Sequence, residues 1–344
     1  MRIAIVNDLG LAVEALRRVV RSIPGAEVAW VARDGEQAIA QCERDRPDLV
    51  LMDLIMPGVD GVQATREIMR RSPCPVLVVT ASVRGNVGKV YDALGCGALD
   101  AVATPRLGLS GDLAGADDLI RKISTVHALG RDVERGRGAD LASAADAGSA
   151  AAPHTLPPLI AIGASTGGPH ALATILAGLP ADLPAAVAVV QHIDRVFAPG
   201  LARWLARRTA LSVAPLIAAE SLRAAHIWVA AGDGHLVLGD DLRLALADAP
   251  RDTLHRPSID VFLASVARRV PGRALGVLLT GMGRDGAAGL LAMRQAGHPT
   301  IAQDEGSSIV YGMPKAAADL GAATEVLPLD RIAPRLVELV KSIR

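Results

Sequence analysis

The sequence predicts an α/β protein of two units, each a parallel sheet wound on both faces by helices, the second carrying an added β-hairpin. Three observations predict it. Short apolar runs alternate with amphipathic stretches in two separate regions of the chain, the pattern of strands buried beneath helices. Between the regions, from about Gly130 to Pro158, apolar periodicity disappears and Gly, Ala, Ser and Pro accumulate. The length of 344 residues also suits two ordinary domains better than one.

In the first region Ile3–Val6 reads as a buried strand and Ala12–Arg21 as a helix. Val28–Val31, Leu49–Met52, Val76–Thr80 and Ala98–Ala103 are the further strands, making five. Glu36–Arg44, Gly61–Arg71 and Asn86–Leu94 fit helices between them. Residues 1–128 form this unit. Residues 129–157 cannot bury enough surface to offset their ordering entropy, and read as a flexible linker. Residues 158–344 form the second unit, with strands at Leu159–Ile162, Ala186–Val190, Ile227–Val229, Ala274–Thr280 and Thr300–Ala302. Its helices fall at Pro169–Leu176, Pro199–Arg207, Ile259–Arg269, Ala287–Gln295 and Arg331–Lys341. Between Asp233 and Leu246 the chain has the look of a hairpin turning at Gly239-Asp240-Asp241.

Composition narrows the function classes. Lys+Arg and Asp+Glu are both 36, so no basic surplus points to nucleic acid. Hydrophobic residues make up 51% and aromatics 2%, so the cores must be built from Ala, Val, Leu and Ile. No apolar run approaches the ~20 residues that span a bilayer, and Asn7 and Asp8 break the opening run too early for a signal-peptide core. Cys42, Cys74 and Cys96 lack metal-ligand spacing. A cytoplasmic globular protein is expected, without direct membrane insertion.

Ligands of an open parallel sheet gather at the carboxyl ends of its strands. Asp8 follows the first strand, Asp53 ends the third and Thr80 ends the fourth. Two carboxylates converging there repel unless a cation separates them, which makes a Mg²⁺ site chemically reasonable. A carboxylate beside Mg²⁺ and a strand-end hydroxyl suits acceptance of a phosphoryl group. Taken singly, either acid would more often cap a helix or turn. Together, Ile3–Asp8, LVLMDLIMPGVDG and VLVVTAS resemble the receiver domain of two-component response regulators. The resemblance implies phosphorylation of Asp53 by a CheA-type histidine kinase. It also implies Mg²⁺ held by Asp8, Asp53 and the main-chain carbonyl of Ile55, with Thr80 touching the phosphoryl group. Three positions depart from the receiver pattern: Asn7 replaces an acid, Thr104-Pro105 replaces Lys-Pro, and Ala101 replaces an aromatic. Altered phosphorylation kinetics and coupling are expected from them.

In the second unit, Leu159–Ile162 runs into Gly163-Ala164-Ser165-Thr166-Gly167-Gly168-Pro169 and then a helix. A serine between glycines at a strand-to-helix turn is exposed at the sheet edge near a positive helix end. The same geometry serves an anion loop equally well. A serine nucleophile needs a base, and His192 ends the next strand at the same sheet edge. Asp285, in the GMGRDG turn after Ala274–Thr280, is placed to orient that base. His127, His154, His170, His226, His235 and His255 fit less well by position. Two rivals share these residues. GMGRDG also matches a dinucleotide-binding fingerprint with Asp304 and Glu305 beyond it, but Asp285 would then face a pyrophosphate. GASTG fits the α/β-hydrolase elbow, whose chain order would select His298, at the opposite sheet edge.

IGASTGGP, VVQH, HRPSIDVF, LLTGMGRDGAAGL and AQDEGSSIVYGMPKAA resemble the protein-glutamate methylesterase domain of chemotaxis, and with the receiver the whole chain is similar to the CheB family. The resemblance assigns the catalytic serine, histidine and aspartate to Ser165, His192 and Asp285. It implies hydrolysis of glutamate γ-methyl esters on methyl-accepting receptors to glutamate and methanol, some members also deamidating glutamine, with no cofactor for the ester chemistry. In the family the unphosphorylated receiver blocks the esterase cleft. Backbone N–H groups at Thr166 and Met282 are candidate oxyanion donors. HRPSIDVF reads either as shaping the substrate cleft or as a helix start capped by Ser258. Tyr311-Gly312-Met313-Pro314 either lines the site or turns the chain. The opening IVNDLGLAVEALRRVV further resembles the Wsp-type subgroup, whose signalling controls a diguanylate cyclase. The alternative to an enzyme is a regulatory adaptor that binds receptor or kinase without hydrolysis, and the intact Ser165, His192 and Asp285 favour the enzyme.

Overall fold

The computed structural model describes residues 1–81, 87–107, 113–129, 156–193, 197–253, 255–270 and 273–343. They fall into two compact units, Met1–Leu141 and Ala142–Arg344. Most of the predicted linker, residues 130–155, lies outside the described residues, as does His154.

The first unit runs β1 (Arg2–Val6), α1 (Gly10–Ser22), β2 (Glu27–Ala32), α2 (Gly35–Arg44), β3 (Leu49–Met52), α3 (Gly61–Arg71), β4 (Val76–Thr80), α4 (Val87–Gly95) and β5 (Asp100–Ala103). A two-residue ribbon, β6 (Arg106–Leu107) with β7 (Leu113–Ala114), precedes α5 (Ala116–Leu129). The sheet order is β2-β1-β3-β4-β5, every pair parallel. All residues of β3 and β4 are buried, as expected of strands covered on both faces. Asp34 and Asp60 cap α2 and α3, accepting the Gln37 and Gln63 N–H groups at 2.8 and 3.0 Å. The predicted fifth strand begins two residues late, because Cys96 to Leu99 turn back onto α4 and β4. Helix α5 was not anticipated, although Leu119 and Ile123 follow helical spacing and pack into the core beneath α1.

The second unit contains β8 (Leu159–Ala164), α6 (Gly168–Ala177), β9 (Ala186–Gln191), α7 (Ala198–Ala206), β10 (Ser212–Leu216), β11 (Glu220–Ser221) and β12 (His226–Ala230). It continues with β13 (His235–Leu238), β14 (Arg243–Ala247), α8 (Ile259–Arg269), β15 (Ala274–Leu278), α9 (Ala287–Gln295), β16 (Thr300–Gln303), α10 (Met313–Asp319), β17 (Glu325–Leu327) and α11 (Leu329–Ser342). Seven parallel strands lie in the order β10-β12-β9-β8-β15-β16-β17. The predicted hairpin forms as β13 and β14 and gains β11 as a third antiparallel strand. Its turn closes with the Leu242 N–H on the Gly239 carbonyl, Leu242 taking the left-handed conformation. Strand β10 escaped the sequence reading because Pro215 interrupts it; an edge position tolerates that loss of a donor.

Strand β8 sits between β9, which follows it in sequence, and β15, which comes about a hundred residues later. Strand order reverses there, which opens a crevice at the carboxyl ends of β8, β9 and β15. Ser165, His192 and Asp285 all follow the ends of those three strands.

Candidate active site

Ser165 lies one residue past β8, half-buried, and its backbone is pinned from three sides. Its N–H donates to the Thr280 carbonyl at 3.0 Å, and its carbonyl accepts the Gly168 N–H at 2.8 Å. The same carbonyl accepts the Gln191 side-chain amide at 2.7 Å. Gly281 passes so close that a Cβ there would stand 2.6 Å from Ser165 Cβ. The glycine at 281 is therefore a packing requirement of the serine turn.

His192 follows β9, and its N–H donates to the Ala164 carbonyl at 2.9 Å, holding it beside the residue before Ser165. Its ring meets Asp285 through Nε2, 2.8 Å from Oδ2. Asp285 also accepts Ser258 Oγ–H on Oδ1 at 2.8 Å, Ile259 N–H on Oδ2 at 2.8 Å and Asp260 N–H on Oδ1 at 3.0 Å. Burial pushes its carboxyl upward, but the His192 hydrogen bond and charge and the Ile259 and Asp260 N–H groups together hold it well below the ordinary carboxylate range. An ionised carboxylate only accepts, so His192 donates through Nε2, and in the neutral ring the lone pair falls on Nδ1. That Nδ1 is buried without a hydrogen-bond partner, and among the described residues no hydrogen bond joins it to Ser165 Oγ.

The carboxylate's donors come from the start of α8. Ser258 is its N-cap, accepting the Val261 N–H while donating its own proton to Asp285. Asp260 lies in the first turn and accepts the Gly289 N–H at 2.7 Å; burial and then the nearby Asp285 charge push its carboxyl up to about 6. The two neighbouring carboxyls are thus driven apart, Asp285 downward and Asp260 upward.

Two histidines set aside by position belong to this site. His255 stacks on the His192 ring, centroids 4.2 Å apart and planes 18° from parallel. His235, fully buried, accepts the Ser258 N–H on Nδ1 at 3.0 Å and faces the Pro250 carbonyl with Nε2 at 2.8 Å. HRPSIDVF is the capped helix start, and it also supplies the donors that hold the acid, a use the sequence reading did not anticipate. Its pattern of His, Ser and Asp around a proline was the available signal.

Among the described residues, neither the Thr166 nor the Met282 N–H has a hydrogen-bond partner, leaving both free to meet a developing oxyanion. Buried Thr280 ties the surrounding loops together: Oγ1 donates to the Thr166 carbonyl at 3.0 Å and accepts the Val310 N–H at 2.9 Å. Gly312 and Met313 donate to the Gly281 carbonyl, so the Tyr311–Pro314 segment braces that turn and starts α10.

The rivals fail on geometry. His298 precedes β16 at the amino edge, 2% exposed, with neither ring nitrogen hydrogen-bonded. Asp285 is saturated by α8 and cannot flank a pyrophosphate, and Asp304 is engaged by Ser307 N–H and Oγ–H.

In the first unit, Asp53 is 6% exposed at the end of β3, and Asp8 is exposed at the end of β1. Asp53 Oδ1 accepts the Leu54 N–H at 2.7 Å, and Oδ2 accepts the Asn7 side-chain amide at 3.1 Å. Burial pushes the Asp53 carboxyl up to about 6; the Leu54 and Ile55 N–H groups oppose this and the Asp8 charge adds to it. Thr80 is buried at the end of β4, its carbonyl accepting the Thr104 N–H at 3.0 Å. Thr104 Oγ1 is buried without a partner, and Ala101 is buried.

No described helix is long and apolar enough to cross a membrane. Among the described residues, no three His, Cys, Asp or Glu side chains gather as a metal-binding group.

Comparison with known proteins agrees with this architecture. Residues 160–336 match the CheB methylesterase family, and residues 3–106 match the response regulator receiver domain. A protein-glutamate methylesterase/protein-glutamine glutaminase of Burkholderia thailandensis is 52% identical over 345 residues, covering 100% of this chain and 99% of its own. One from Mesorhizobium japonicum is 48% identical over 340 residues, covering 98% of each chain. The crystal structure of the Thermotoga maritima CheB methylesterase catalytic domain superposes with a TM-score of 0.51 at 34% identity, covering 53% of this chain and 98% of that one.

Proposed function

Since the chain belongs to the CheB methylesterase family and carries a receiver domain ahead of the esterase, we propose that it hydrolyses glutamate γ-methyl esters on methyl-accepting receptors, and deamidates receptor glutamines, under control of phosphorylation at Asp53. The observation that carries the ester chemistry is the His192 ring, bound to an ionised Asp285 through Nε2 with its Nδ1 lone pair unused, on the strand beside Ser165.

Ser165 Oγ attacks the ester carbonyl carbon as His192 Nδ1 takes its proton. The oxyanion that forms is met by the Thr166 and Met282 N–H groups. Collapse breaks the C–O bond, and His192 returns the proton to the departing oxygen, giving methanol and a glutamyl ester on Ser165. Water, deprotonated by Nδ1, then attacks this ester and releases the glutamate side chain. Asp285 stays ionised throughout and stabilises the imidazolium. From a glutamine side chain the same steps release ammonia.

In the receiver, the donors are all oxygen: the Asp8 and Asp53 carboxylates and the Ile55 carbonyl. That set suits Mg²⁺; burial raises the Asp53 carboxyl and the Asp8 charge adds to it, which a cation between them would offset. Bound there, Mg²⁺ would neutralise charge on the phosphoryl oxygens. Asp53 supplies the accepting oxygen, its carboxylate oriented by Asn7 and the Leu54 N–H, and Thr80 contacts the phosphoryl group. A CheA-type kinase is the phosphodonor. We assign the Wsp-type subgroup on the opening segment around Asn7, and a cytoplasmic location on the family.

Methanol release from a methylated receptor, with labelling of Ser165 by a fluorophosphonate, tests the reading. Release by a folded Ser165→Ala chain at the wild-type rate would overturn it.

A further inference from the structure

Gln191 ends β9, directly beside Ala164 in the parallel ladder and 4% exposed. The ladder stops at this pair, so the carbonyls of the next residue on each strand have no rung to accept from. Those residues are Ser165 and His192. The Gln191 side-chain NH₂ donates to both, reaching the Ser165 carbonyl at 2.7 Å, alongside the Gly168 N–H, and the His192 carbonyl at 3.0 Å. Its orientation is forced, since a flipped amide would set Oε1 against two carbonyl oxygens. Oε1 is left buried without a partner, against Gly168, where a Cβ would overlap it. A glutamine used only to fill space would do better as leucine or methionine, which strand no acceptor.

We propose that Gln191 is a positioning residue of the esterase, bridging the main-chain carbonyls of nucleophile and base and so fixing the span between Ser165 Oγ and His192 Nδ1. The inference rests on the roles proposed for Ser165 and His192. Those two groups make no hydrogen bond to one another in the structure, so their approach depends on what holds their backbones. Displacement of reacting groups by about 1 Å costs on the order of 100-fold in rate. A substrate that docks on other surfaces is bound as before, so the loss belongs to kcat and not to KM.

The test uses the full chain with Gln191→Leu and Gln191→Glu. Fluorophosphonate labelling of the wild type, absent in Ser165→Ala, first checks the underlying reading by itself. With that in place, Gln191→Leu should keep the wild-type unfolding temperature within a few degrees, lose about 10- to 100-fold in kcat and labelling rate, and leave KM within twofold. Gln191→Glu is of equal size and donates one proton only when protonated. Its activity relative to wild type should fall as pH rises, a signature that a space-filling role does not give. Retention of kcat and labelling rate by Gln191→Leu overturns the proposal. Should Gln191→Leu fail to fold, a Gln191→Glu profile parallel to wild type at every pH overturns it equally.

Discussion

His235 Nδ1 accepts the Ser258 N–H, and Ser258 Oγ in turn donates to Asp285, so a fully buried histidine stands directly behind the carboxylate that orients His192. Because a backbone N–H only donates and the Pro250 carbonyl only accepts, His235 accepts on Nδ1 and donates through Nε2. His235 thereby braces the start of α8, whose Ile259 and Asp260 N–H groups join the His192 ring in holding the Asp285 carboxyl low.

Four donors converge on the two Asp285 oxygens: Ser258 Oγ–H and Asp260 N–H on Oδ1, Ile259 N–H and the His192 ring on Oδ2. Asp285→Asn places an NH₂ against two of them in either orientation. We expect it to lose about 10⁴-fold in kcat, a smaller loss than removal of the base itself. Ser258→Ala removes one donor and the cap, lowering stability by about 1 kcal/mol and raising the Asp285 carboxyl. Steady-state kinetics and thermal unfolding of both variants check this, and a fully active Asp285→Asn chain would exclude the acid.

Ser165→Ala and His192→Ala are each expected to reduce methanol release by about 10⁶-fold, and not to compound when combined, because nucleophile and base act as a unit. The Ser165 turn is held by backbone bonds that alanine keeps, so the fold should be unchanged. Double-variant kinetics measure the coupling. Additive losses would separate the two residues.

Ser165, His192, Asp285, Asp8, Asp53 and Thr80 were legible because each follows an apolar run, and a parallel sheet gathers such residues at one edge. The supporting residues were not. His235 and His255 lie in an antiparallel hairpin and a loop, where periodicity says nothing about what a side chain meets. Gln191 lay in the VVQH motif with no role read for it, and its use became visible only once the ladder was seen to stop there. Likewise β10 and β17 lie at the sheet edges, where partial exposure and a proline blur the apolar signal.

Asp8→Ala should slow Mg²⁺-dependent phosphorylation of Asp53 severalfold and weaken Mg²⁺ binding, because one of two carboxylates is removed from the expected ion. Asn7→Ala should leave the Asp53 Oδ2 oxygen without its buried donor and slow the same step. Phosphotransfer followed against Mg²⁺ concentration reads both. Labelling of the Asp8→Ala chain at full rate without metal would remove the ion from the reaction.

His298 gives a pH dependence unrelated to catalysis. Burial lowers its imidazole to about 4 from the ordinary 6.5, partly offset by the Ala274 main chain. Unfolded chain therefore takes up a proton more readily than folded chain between those values. Full stability is present above pH 6.5 and is lost as pH falls toward 4, by about 3 kcal/mol from this group. Urea unfolding between pH 7.5 and 4 should show a shallower acid decline in His298→Leu than in the wild type, and identical slopes would count against it.

The family relationship implies that the unphosphorylated receiver restrains the esterase. A chain starting at Pro157 should then hydrolyse methylated receptor faster than the full unphosphorylated chain, and Asp53 phosphorylation should close part of the gap. With Thr104 in place of a lysine and Ala101 in place of an aromatic, that rise should increase on Thr104→Lys. Rates of the three forms decide it, and equal rates before phosphorylation would argue against restraint.

Gly281 presses on Ser165, and Gly61 lies so close to the Asp53 carbonyl that a Cβ there would overlap it. Each chemically active residue therefore has a neighbour that cannot accept even one added carbon. Over many generations these two glycines should be among the slowest positions of the gene to drift, although neither has a side chain to take part in the chemistry. Any change at either position would be felt first by the serine or the aspartate packed against it.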